Sequence, residues 1–170
     1  MTQVTLGAEH AALLAHLGGQ RRHVLGIVEG LDDEQMRRPV LPSGWSCAGL
    51  VQHLTLDVEK FWFRGVIAGE QEVIDEVAAA AGVSSWTVAD DVPASAVVAR
   101  YAEQVALADA VLARTPLDAE PAWWPDFFGE WRLDDLRDVI LHVITETACH
   151  AGHLDATREL IDGRQWMVQG

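Results

Sequence analysis

Hydrophobic residues recur along this chain at spacings of three and four, the pattern of helices with one apolar face. Ala11, Leu14, Leu17, Val24, Leu25 and Val28 mark a first helix over about residues 7–30, with Gly30 placed to end it. Its interior pair Gly18-Gly19 costs about 1 kcal/mol per glycine relative to alanine, so this segment must rely on packing and can bend there. Residues 31–45, with Asp32, Asp33, Pro39, Pro42 and Gly44, read as a loop. Ser46 is an N-cap for a second helix over about residues 46–67, whose stripe takes in Leu50, His53, Leu54, Asp57, Phe61 and Gly65. Residues 69–92 form a long connection with room for a helical turn at 72–80, of the kind that often covers a site.

Pro93 suits the first turn of a third helix, over about residues 93–114, with Val97, Val98, Tyr101, Val105, Ala108 and Val111 on its apolar side, and Pro116 stops it. Residues 117–131 carry Trp123, Trp124, Phe127, Phe128 and Trp131, which can wall a site or seal the end of the fold. A fourth helix over about residues 133–162 has Asp134 and Asp135 in its first turn and Gly163 as its stop. There is no internal repeat, so the expectation is an all-α chain: one domain over residues 1–170, folded as a four-helix bundle with a long crossover.

The chemistry lies within these stripes. On the fourth helix Leu136, Val139, Val143, Glu146, His150, His153, Thr157 and Leu160 follow helical steps, and the middle three are ionisable. Placing them where Leu or Val belongs costs several kcal/mol unless they are paired or bind a metal. Glu146 and His150, four apart, project from one face and can grip one ion, and His53 on the second helix is the best third ligand. Two imidazoles and a carboxylate leave coordination positions open, which suits catalytic zinc and also iron or nickel. His153 stands as an alternative to Glu146 or as an outer support. The bland explanation is a hydrogen-bonded core histidine beside a chance Glu–His spacing. His10, His16, His23 and His142 have no comparable arrangement, and Cys149 lies about 100° from His150 around the helix, so the two do not face each other as nucleophile and base. No nucleophile elbow, phosphate-binding glycine loop or His-Glu-x-x-His run is present.

Composition narrows the partners. Twenty-six acidic against 12 basic residues give a charge of −14, which disfavours nucleic acid and anionic lipid. Two cysteines make no disulfide framework, residues 1–20 show no export signal, and no apolar run reaches membrane-spanning length, so a cytoplasmic protein is expected.

Residues 42–54, PSGWSCAGLVQHL, with Glu59, Phe61 and Trp62 after them, and residues 136–163, LRDVILHVITETACHAGHLDATRELIDG, resemble the DinB-like superfamily, in particular its mycothiol-dependent branch. Residues 17–35 add a weaker likeness, while 70–130 match poorly. The resemblance implies a four-helix bundle of DinB-like type, often dimeric, with a divalent metal on His53, Glu146 and His150. It also implies mycothiol as the thiol and a small electrophile as its partner, in a thiol transferase or a maleylpyruvate isomerase. The chain runs only a few residues past Trp166, without the isomerase's additional domain, so the transferase is the expected activity. A metal-binding protein without turnover and a metal-dependent hydrolase are the alternatives.

Overall fold

Short polar side chains open several of the helices. The computed structural model describes residues 7–80 and 82–167. Helix α1 spans Ala8–Val28, and the chain turns at Gly30, whose φ of +77° only glycine adopts without strain. The segment expected as a loop holds a short helix α2, Asp33–Arg37. Asp32 accepts from the Gln35 amide at 2.8 Å while the Gln35 side chain accepts from the Asp32 amide at 3.0 Å, a reciprocal cap written in the sequence as Asp-x-x-Gln. Ser46 caps α3, Cys47–His53, by accepting from the Gly49 amide at 3.1 Å.

From α3 the chain continues unbroken into a π-helical run, Leu54–Ile67. Then come α4, Gln71–Ala79, and α5, Ala94–Leu112. A 3₁₀ turn, Asp126–Phe128, leads towards α6, Leu136–Asp162, which ends at Gly163 with φ +79°. Asp135, expected inside the fourth helix, is instead its N-cap and accepts from the Asp138 amide at 3.0 Å. The chain is all-α, and its long helical runs pack in a manner compatible with a four-helix bundle: α1 against α6, α5 against the π-helical run, and that run against α6. No helix among the described residues is long and apolar enough to cross a membrane.

The π-helical run has a physical basis in its buried positions. Leu54/Thr55, Val58/Glu59, Trp62/Phe63 and Val66/Ile67 are all buried and repeat strictly every four residues. At 3.6 residues per turn such a repeat drifts about 40° with each step, and a wider turn counters that drift. At its end the Ala68 amide reaches the Phe63 carbonyl at 3.1 Å, five residues back. This register corrects the expected stripe: Asp57 is exposed, and Glu59 is fully buried. The buried face of α6 is likewise rotated from its expectation. It runs through Leu136, Val139, Ile140, Val143, Thr147, Leu154, Asp155 and Arg158, while Leu160 and His153 are exposed and Glu146 and His150 lie at its edge.

Glu59 does not stand alone in the interior. Arg21 of α1 grips it bidentately, Nε to Oε1 at 2.8 Å and Nη2 to Oε2 at 2.6 Å, and sends Nη1 to Asp109 of α5 at 2.7 Å. Burial pushes the Glu59 carboxyl above its usual range, and the guanidinium works against that shift. Breaking such a buried pair leaves an uncompensated charge. Arg21→Ala is therefore expected to lower unfolding stability in urea by about 3–5 kcal/mol, while the double variant Arg21→Met/Glu59→Leu regains most of the loss.

Candidate metal centre

Three helical segments converge on the edge of the core where α3 passes into the π-helical run. His53 closes α3, and Glu146 and His150 stand one turn apart on α6. One ligand atom from each of these three residues lies within 4.8 Å of the others. The imidazoles of His53 and His150 meet edge to face with centroids 5.0 Å apart, and His150 Nε2 lies 3.6 Å from Glu146 Oε2. The two histidine side chains are about one-seventh exposed (15% and 14%) and Glu146 40%, so the group opens to solvent on the carboxylate side. His153 lies outside this group of three, with its ring 5.6 Å from that of His150 and 6.3 Å from that of Trp45.

The donors suit a divalent ion. His53 Nδ1 donates to Asp57 Oδ2 at 2.8 Å, which fixes the tautomer that leaves the Nε2 lone pair free. Asp57 also accepts from the Ser85 hydroxyl. Burial pushes the Asp57 carboxyl up, yet the bonds from His53 and Ser85 outweigh it and hold the group below its usual range. Burial, reinforced by the neighbouring His53, holds His150 below its usual value in spite of Glu146, and the neutral imidazole is the form that binds metal. His150 Nδ1 is buried with no protein partner, an unmet polar group at the site.

One wall comes from the long connection between α4 and α5. Trp86 stacks on His53 with centroids 4.3 Å apart and planes 16° from parallel, and also meets His150 at 5.6 Å. This packing depends on Gly49: a Cβ there would sit 2.2 Å from the Trp86 carbonyl oxygen. The Gln52 amide ties down the same stretch, donating to the carbonyls of Ser85 at 2.8 Å and Thr87 at 2.9 Å. Asp57 could have been found from the sequence, since it lies four residues after His53 on the same helical run. Trp86 could not, because its connection carries no periodic pattern.

The aromatic loop packs on the other flank. Phe128 stacks on Trp62 at 5.6 Å, and His142 lies between Trp62 at 4.7 Å and Trp131 at 5.6 Å, its pKa lowered by burial. Cys47 is buried and its thiol is pushed up to about 11, which makes it inert as a nucleophile.

A family model described as Mycothiol-S-transferase matches residues 12–163, and the chain belongs to that family. Neither curated proteins nor solved structures yield a match.

Two substitutions that leave all three candidate ligands in place probe the support around them. Asp57→Ala is expected to weaken zinc binding by about 10–100-fold, read by competition with a chromophoric chelator. Gly49→Ala, which forces the Trp86 backbone away, is expected to weaken it in the same direction and to change the tryptophan near-ultraviolet dichroism.

Proposed function

We propose that this member of the mycothiol-S-transferase family is a divalent-metal-dependent thiol transferase that joins mycothiol to small electrophiles, with His53, Glu146 and His150 as the metal ligands. The observation that carries the reading is the convergence of two imidazoles and one carboxylate, with one imidazole already oriented by Asp57. A bound divalent ion supplies the positive charge that favours thiolate over thiol at neutral pH. Zinc fits the donor set best, and nickel or iron accepts the same ligands.

The protein's own contribution is placement and charge. With one carboxylate among its three ligands, a loaded site would be cationic and would favour an anionic sulfur. Asp57 holds His53 in one tautomer, and the stacked Trp86 keeps its ring from turning. In the transfer itself the sulfur electron pair forms the new S–C bond. The leaving group departs with the electrons of the broken bond, or, where an activated alkene is the acceptor, the adjacent carbon takes a proton. The proton lost from the thiol goes to solvent, which reaches the site on the Glu146 side. Phe61, Trp62 and Phe128 form an apolar flank. Both cysteines are free thiols, in keeping with a reducing cytoplasm, and a homodimer belongs to the same reading by family likeness.

The test is thiol consumption by the metal-loaded protein, with mycothiol and a panel of electrophiles, beside His150→Ala. The variant is expected to lose its ion, and the rate to fall on the order of 100-fold or more. A metal-free variant that kept the full rate would overturn the assignment. A panel with no rate above background would favour metal binding without turnover, and ester or amide hydrolysis in thiol-free buffer would favour a hydrolase.

A further inference from the structure

A cavity of about 480 Å³ opens beneath α4, between the π-helical run, the connection around residues 83–87 and the aromatic turn at 126–128. Its size lies within the range of small-molecule sites. Leu56, Phe61, Val73, Val77 and Phe127 supply much of its apolar lining. Asp57 belongs to its wall as well, and the same carboxylate anchors His53, so one hydrogen bond links the cavity wall to the candidate metal group. Phe127 is exposed at 66%, a large aromatic left facing solvent beside an apolar hollow.

The charged and amide groups in the lining are already engaged, while the Ser84 and Thr87 hydroxyls line it as well. The Lys60 ammonium pairs with Glu76, the Gln52 amide serves two backbone carbonyls, and Asp57 accepts from His53 and Ser85. Few donors are left for the hydroxyls of a sugar-bearing thiol. Two carboxylates against one ammonium, in a chain of charge −14, repel an anion. Flat contact surfaces are available, since the Phe61 and Phe127 rings lie 6.2 Å apart with planes 30° from parallel.

From this cavity we infer an acceptor pocket that takes an uncharged, apolar, planar electrophile, while the polar thiol approaches from the open Glu146 side. The assignment rests on the transferase reading and gives it a substrate class. It predicts selection between electrophiles by shape and polarity rather than by intrinsic reactivity alone.

The test uses the metal-loaded full chain and two variants that fill the cavity from opposite walls, Val77→Phe and Leu56→Trp, neither at a metal ligand. With saturating mycothiol, kcat/KM for chlorodinitrobenzene is expected to fall at least tenfold in both variants. The value for iodoacetamide, too small and polar to need the pocket, is expected to stay unchanged, as is the metal content. Equal losses for both electrophiles, or no loss for either, would overturn the proposal. Binding of the uncharged fluorophore N-phenylnaphthylamine separates the two layers of the argument. The wild type is expected to bind it and the variants to lose it. Turnover without probe binding overturns the pocket and leaves the transferase standing. Probe binding without any turnover overturns the transferase and with it the acceptor role, while the cavity's apolar selectivity stands.

Discussion

A guanidinium and a carboxylate buried side by side set the geometry of this molecule. Arg21 and Glu59 are 5% and 0% exposed, and neither can lie where it does without the other. Because Glu59 must reach Arg21 on α1 and, through it, Asp109 on α5, the π-helical run has little freedom to rotate about its axis. Rotation is what decides which face meets α6. With Glu59 held towards α1 and α5, His53 is left at the edge nearest α6, where Glu146 and His150 stand. A structural ion pair thus orients a site in which it takes no part.

The site owes its form to being at the margin of the core rather than inside it. The ionisable stripe on α6 would be costly if fully buried. The structure meets that cost by rotating the helix so that Thr147 and Leu154 take the interior and the Glu–His pair lies at the rim. Half-burial has a chemical consequence. Burial holds the His150 imidazole below its usual value, and the half-exposed Glu146 leaves a path open to solvent. On the sheltered side the support is indirect but continuous, from Ser85 to Asp57 to His53, with Trp86 laid over the ring by the missing side chain at Gly49.

Much of this is legible in the sequence, for identifiable reasons. Helix ends marked by Ser46 and Gly163 follow from local hydrogen bonding and backbone conformation, which depend on neighbours only. The proximity of Glu146 and His150 follows from one helical turn, and His53 stands out because it interrupts an apolar stripe. What an α-helical period cannot show is the wider turn of residues 54–67, so it places Asp57 in the interior and gives no sign of the burial of Glu59. The apolar positions Leu54, Val58, Trp62 and Val66 recur every four residues, a spacing that an α-helical stripe does not keep. Asp-x-x-Gln at 32–35 is a second overlooked local signal, outweighed by the prolines and glycine around it. The position of Trp86 is beyond such reasoning, since it depends on a close approach between a loop and a glycine distant in sequence.

The central claim is that one divalent ion sits on His53, Glu146 and His150, and X-ray absorption at the metal edge of the zinc-loaded protein tests it most directly. The account predicts a first shell fitted by two nitrogen donors with the outer scattering of imidazole rings, one or more oxygen donors, and a light-atom distance replaced by sulfur when mycothiol is added. A shell of oxygen donors without imidazole scattering, or one unchanged by the thiol, would contradict it.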